Sequence, residues 1–112
     1  MINKQLFILF LIASGLTMTT STVAAGDAAA GEEKAATCAA CHGEGGRSEI
    51  PFNPVLAGQY ADYIVRALKD YKSGDRDNAI MTPMAAALSE EDMEDLAAYF
   101  SSQEGLYNLP NP

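Results

Sequence analysis

The sequence predicts a small all-α domain, and three observations carry that expectation. Apolar residues recur three and four positions apart in two stretches, Ile64, Leu68 and Tyr71 in one and Met93, Leu96, Ala97 and Phe100 in the other. That is the period of an amphipathic helix. No stretch alternates apolar and polar residues at the period of two that a half-buried strand shows. The third observation is the pentapeptide Cys38-Ala39-Ala40-Cys41-His42, which supplies something for the helices to pack around.

Cys-x-x-Cys-His is the attachment pattern of a c-type haem. On a helix, positions three and four apart share a face, so Cys38, Cys41 and His42 are expected to project the same way. Two thiols can then add across the two vinyl groups of a haem while the imidazole sits under the iron. Two plainer readings compete, a thioredoxin-like redox pair and half of a zinc site. Zinc wants four ligands, and the chain holds two cysteines and one histidine. A thioredoxin-like domain wants strands alternating with helices. The haem reading is favoured, and the expected architecture is helices packed around one covalently bound haem.

A chain of 112 residues is enough for one domain. Its formal net charge of −8 argues against nucleic acid as a partner. Two cysteines in an exported chain would ordinarily suggest a disulfide, but these sit too close together to staple distant segments.

Residues 1–25 read as a secretory signal peptide. Lys4 supplies the positive start, residues 6–16 an apolar run, and Thr22-Val23-Ala24-Ala25 the small residues that permit cleavage after Ala24 or Ala25. The run is well short of the ~20 apolar residues of a spanning helix, so cleavage is favoured over a membrane anchor. Loss of Lys4 would take the formal charge from −8 to −9. The remaining domain, 26–112, keeps Phe52 and Phe100 and has no Trp. So small a chain struggles to bury enough apolar area without a staple or a cofactor. A haem would be the missing core.

Asp27 is a candidate N-cap for a first helix over 28–40 that runs into the motif. Gly31 inside it costs about 1 kcal/mol relative to alanine, which either close approach of a second helix or a frayed first turn would explain. Residues 43–58 read as loop, because Glu44-Gly45-Gly46 is turn chemistry and Pro51 and Pro54 forbid a regular helix. An iron-bound histidine usually donates its other ring N–H to a carbonyl or carboxylate, and the Pro54 carbonyl can be that acceptor. Pro54-Val55-Leu56-Ala57-Gly58 brings apolar residues, Leu56 among them, that could wall a haem.

The second helix is expected over 62–73, with Val65 beside its apolar face and Asp62, Arg66 and Asp70 offering i,i+4 charge pairs on another. Gly74 stops it. Asp75-Arg76-Asp77-Asn78 reads as polar linker leading into Ile80-Met81-Thr82-Pro83-Met84. Met81 and Met84 could each reach the far side of the iron, and spacing alone leaves the choice open, with Pro83 stiffening the turn between them. Ser89 opens the last helix, with Asp92 three residues on as a shortened capping box. Glu90, Glu91 and Asp92 suit the helix dipole. Met93 belongs to the buried stripe and is read as core, not as a ligand. Residues 103–112 read as an irregular tail.

Together these residues resemble the class I c-type cytochromes, in particular one half of the bacterial dihaem cytochrome c4 group and its small monohaem relatives. The resemblance runs from Gly26-Asp27 to about Gln103. It rests on Cys38 to Gly43, on Leu56-Ala57-Gly58-Gln59, on Arg76, Asn78 and Met81, on Leu88-Ser89, and on Leu96-Ala97-Ala98-Tyr99-Phe100. It implies the small cytochrome c fold and one haem c held by thioethers from Cys38 and Cys41. It further implies His42 as proximal ligand, Met81 as distal ligand and Pro54 as the acceptor for His42. Gly31 would sit where the first and last helices cross, against Leu96 and Tyr99. The chain departs from the group in having a single Cys-x-x-Cys-His, so a two-haem arrangement is absent.

The function this implies is a periplasmic electron carrier, since c-type haem is attached outside the bacterial cytoplasm. His/Met ligation raises the reduction potential, which suits donation to a terminal, membrane-bound oxidase or another late respiratory acceptor. Such a protein is not an enzyme on its own. If neither Met81 nor Met84 binds iron, an open-site haem protein that binds gas or activates peroxide is the alternative. Without a second histidine, one protomer could place no distal imidazole base there. A cytochrome subunit of a larger oxidoreductase complex is a further alternative. The negative charge should steer the protein toward redox partners with a basic docking face. Ala39, Ala40 and Ala85-Ala86-Ala87 would supply a small apolar contact at a weak, transient interface.

Overall fold

Asp27 and Gly43 bracket the helix that carries the motif. In the computed structural model, which describes residues 25–106, helix α1 spans Ala28–His42. The Asp27 carboxylate accepts from the amides of Ala29 at 2.9 Å and Ala30 at 3.4 Å, covering two of the first-turn donors that a helix leaves open. The helix runs two residues past the expected 28–40. It stops at Gly43, whose φ of 78° with ψ of 165° is open to glycine alone. The extension matters, because it sets His42 on the same rigid helix as Cys38. The proposed leader, residues 1–25, lies outside the described residues except for Ala25, and so does the end of the tail beyond residue 106.

A short 3-10 turn, Glu44–Gly46, follows, and the loop folds back on it. The amides of Leu56 and Ala57 both donate to the Gly46 carbonyl, at 2.8 and 3.1 Å. Helix α2 spans Ala61–Ser73 and ends at Gly74, which takes the left-handed φ of 88° and ψ of 3°. Ile64 is buried, with Val65 and Leu68 half-buried against the core. Of the charged side chains on the other face, Arg66 reaches Asp70 at 3.9 Å. The Asp62 carboxylate instead accepts from the amide of Tyr63 at 2.9 Å.

Where a turn was expected, residues Met81–Ala86 form helix α3. Pro83 lies in its first turn, where a missing N–H is no loss, so the residue that suggested a turn is compatible with a helix. Ala85 is fully buried, which removes it from the expected apolar contact surface and leaves Ala86 and Ala87 exposed. Helix α4, Glu90–Ser101, opens with both halves of a capping box. The Asp92 amide donates to Ser89 Oγ at 3.0 Å and the Ser89 amide to Asp92 Oδ2 at 2.9 Å, so the shorter aspartate suffices. Met93, Leu96, Ala97 and Phe100 are buried as their spacing predicts. No strand occurs among the described residues. Helix α4 packs on α1 and α2, and α2 also packs on α3.

Helices α1 and α4 cross at Gly31. A Cβ there would lie 2.0 Å from the Asp95 carbonyl oxygen and 2.8 Å from Tyr99 Cβ. Close approach, not a frayed turn, is what requires glycine, and the nearest atoms belong to Asp95 and to the expected Tyr99. Overpacking such a contact costs about 1–3 kcal/mol.

The amphipathic pattern gave no sign that Asp95 would be buried at this crossing, yet only 5% of it is exposed. Its Oδ1 accepts from the Asp27 amide at 2.7 Å and its Oδ2 from Lys34 Nζ at 2.6 Å. Lys34 also meets Asp92 Oδ1 at 2.9 Å. The Lys34 hydrogen bond holds the Asp92 carboxyl down to about 2 and keeps Asp95 below its ordinary value, while both carboxylates raise the Lys34 ammonium. Depressed carboxylates stabilise the fold above their unfolded pKa of about 4, and that contribution is lost as pH falls toward the folded value. The raised lysine loses its contribution only above about pH 10.5. Stability to denaturant is therefore expected to fall between about pH 4 and about pH 2, with a shallower slope in Lys34→Met. An acid slope identical in the two proteins would remove this cluster from the account.

Candidate functional site

Helical spacing decides which motif side chains meet. Cys38 and His42, four apart on α1, line one cleft together with Pro54, Leu56, Ile64, Leu68, Met81, Leu96 and Phe100. Every helix and the 43–60 loop contribute to its wall, and it holds about 810 Å³ of empty space with its mouth to solvent included. Cys41 does not line it. It is exposed and borders a neighbouring shallow groove with Ala39, Ala40 and Ile50. On an ideal helix it sits about 60° round from Cys38 and about 100° from His42. Of the three motif side chains, Cys38 and His42 line the cleft, and Cys41 is exposed beside them on α1.

His42 is buried, and its Nδ1 lies 2.8 Å from the Pro54 carbonyl oxygen. A carbonyl only accepts, so Nδ1 carries a proton there, and the bond leaves Nε2 uncommitted. One residue earlier, Asn53 Nδ2 donates to the Cys41 carbonyl at 2.7 Å. The sequence reading missed Asn53. Its available signal was the need of a helix's last carbonyls for a donor. Asn53 and Pro54 tie the loop to the last turn of α1 at two points, and Leu56 follows them, half-buried against the core.

Of the two methionines in α3, Met81 is half-buried and lines the cleft, whereas Met84 is 40% exposed and does not. Side-chain placement narrows a choice that spacing left open. Arg76, read as linker, is the only formally charged side chain in the lining. Its guanidinium lies 4.8 Å from the centre of the Tyr71 ring and donates to the Tyr63 hydroxyl at 3.4 Å. Burial pushes the Cys38 thiol up. That is opposite to the lowered thiolate of a thioredoxin-like pair.

Comparison with known proteins gives the family. The cytochrome c family model matches residues 28–104. The chain belongs to the cytochrome c family. It is 54% identical over 83 residues to cytochrome c-554(548) of Halomonas halodenitrificans, covering 71% of this chain and 100% of that one. To cytochrome c4 of Pseudomonas aeruginosa it is 44% identical over 109 residues, covering 97% of this chain and 53% of that one. The crystal structure of reduced recombinant cytochrome c4 from Pseudomonas stutzeri matches with a TM-score of 0.69 at 47% identity, over 73% of this chain and 48% of that one. The chain therefore spans about half the length of its cytochrome c4 relatives.

The all-helical architecture is the cytochrome c fold, as the resemblance implied, and the cofactor of this cytochrome is covalent haem c. Electron transfer is the activity that goes with it. The cleft suits such a group on its own chemistry. Its walls are apolar, a thiol and an imidazole stand one helical turn apart, Nε2 of that imidazole is held ready by the Pro54 bond, and a thioether and a single cation complete the lining.

Proposed function

We propose that this cytochrome is a periplasmic carrier of single electrons, with residues 1–25 as its cleaved leader and 26–112 as its haem domain. Cys38 and Cys41 would hold the haem through thioethers, and His42 and Met81 would be the axial ligands. The observation that carries the reading is the 2.8 Å bond from His42 Nδ1 to Pro54, which leaves Nε2 for iron in a cleft that Met81 also lines. When bound, haem c supplies a reversible one-electron iron couple whose potential His/Met ligation raises.

The chain's own residues do the rest. Pro54 orients the imidazole and makes it a stronger donor. Leu56, Ile64, Leu68 and Phe100 keep water from the centre and favour the less charged state of the site. Arg76, held over Tyr71 in the cleft lining, would be available to pair with a carboxylate of the haem. Were His42 and Met81 both to hold the iron, no position would be left for a substrate, which is why a carrier and not an enzyme is proposed. No helix among the described residues is long and apolar enough to cross a membrane, so export rests on the sequence of the leader.

The natural partners would be a dehydrogenase that supplies the electron and a terminal oxidase that accepts it, each presenting a basic face. One relative, 48% identical over 66 residues, is the thiosulfate dehydrogenase electron acceptor of Stutzerimonas stutzeri, which supports the first half of that pairing. Docking would use the flank of α1 at Ala39 and Ala40, with Ala86 and Ala87. The test is stopped-flow oxidation of the reduced protein by a small basic cytochrome at increasing ionic strength. The rate should fall as salt screens the attraction. A rate that is flat or rises would remove the basic-faced partner from the reading.

A further inference from the structure

Met81 begins a helix too short to stand alone. Helix α3 has six residues, and isolated helices below ~12 residues are not stable in water. Its far end is anchored. Ala85 is buried, Leu88 packs against the core, and the Leu88 carbonyl accepts from the Lys72 ammonium. The segment that leads into its near end, residues 72–80, is exposed throughout, and at that end Met81 and Thr82 are only half-buried.

Hydrogen bonds to a single residue hold that near end. Asn78 Oδ1 accepts from the amides of Ile80 at 3.0 Å and Met81 at 2.9 Å. The Asn78 carbonyl accepts from the Thr82 amide at 3.0 Å. In return, the Asn78 amide donates to Thr82 Oγ1 at 3.1 Å. Pro83 has no amide, and that of Met84 finds the Ile80 carbonyl at 3.3 Å. The first turn thus sends three donors to Asn78. By backbone angles the residue flanking α3 is Ile80, whose side chain cannot cap. Hydrogen bonding puts the effective cap two residues earlier.

We infer that Asn78, in a cap closed reciprocally by Thr82, is the positioning residue that sets how readily Met81 leaves the iron. The inference rests on Met81 being the axial ligand, and adds that its release is controlled from outside the cleft. Asn78 does not line the cleft, so it acts only through the backbone it holds. Opening the first turn of α3 would carry the Met81 thioether away from the cleft, and opening that turn breaks the bonds to Asn78. One N-cap side chain shifts such an equilibrium by a factor of about five.

The test is titration of the oxidised haem protein with imidazole, followed by loss of the weak far-red band of thioether-bound ferric haem. Asn78→Ala should bind imidazole about fivefold more tightly than wild type, and Asn78→Asp, which keeps the acceptor, should return close to wild type. Ser89→Ala, which removes the cap of α4, should lower the melting temperature without changing imidazole affinity. Wild-type affinity in Asn78→Ala, or equal tightening in Ser89→Ala, would overturn the inference. Met81→Ala, titrated with imidazole and followed by the main haem absorption band, separates the two readings. If it alters affinity while Asn78→Ala does not, only the role of Asn78 falls. If it leaves both band and affinity at wild-type values, the ligand reading falls and takes the inference with it.

Discussion

Cys38→Ala combined with Cys41→Ala is expected to yield a haem-free chain that does not fold. Among the described residues, the buried apolar ones are Ala35, Ala57, Ile64, Ala85, Met93, Leu96, Ala97, Tyr99 and Phe100, four of them alanines. Of these described residues, only Met93 and Leu96 are large side chains buried to completion. Each large side chain contributes about 1.5–3 kcal/mol when fully buried, whereas ordering each backbone residue costs about 1–2 kcal/mol. So few large side chains cannot offset the ordering of four helices. Without haem, the apolar wall of Leu56, Ile64, Leu68 and Phe100 would face water. Far-UV circular dichroism of the haem-free double variant should show most of the helix lost and no cooperative melting. A native spectrum with a sharp melt would show that the helices support themselves.

Met81→Ala carries the second large effect. Its loss should abolish the far-red band of the ferric protein and open the iron to carbon monoxide in the ferrous state. The potential should fall by on the order of 0.1 V, within the ~0.8 V range that axial ligands span. Met84→Ala should leave all three properties nearly intact, because its side chain is exposed and absent from the cleft wall. The reverse pattern would make Met84 the ligand. If neither substitution changes anything, the iron has an open position, and gas binding becomes the better reading.

Much of this molecule was legible because its chemistry is local in sequence. Cys-x-x-Cys-His, the Asp27 and Ser89 caps, the Gly74 stop and the apolar stripes of α2 and α4 each depend on residues within a turn or two. Pro54 was legible for a different reason, since a histidine held for metal needs an acceptor and a proline carbonyl is free to serve. Helix α3 was hidden because six residues are too few to show a period, and Pro83 serves equally in a turn and in a first helical turn. Asp95 was hidden because an apolar stripe says nothing about a carboxylate buried against a lysine 61 positions away. The same holds for Arg76, whose Tyr71 stacking and place in the cleft are set by how the linker returns past α2. Cys41 stands exposed beside the cleft because three residues fall short of a full turn.

The most direct measurement is the optical spectrum of the purified protein, oxidised, reduced, and reduced under carbon monoxide, followed by extraction with acidified acetone. The expected result is a weak far-red band in the oxidised protein, a sharp reduced spectrum that carbon monoxide leaves unchanged, and haem that stays with the polypeptide on extraction. Haem that passes into the solvent would contradict attachment through Cys38 and Cys41, and a reduced spectrum shifted by carbon monoxide would contradict an iron closed by His42 and Met81.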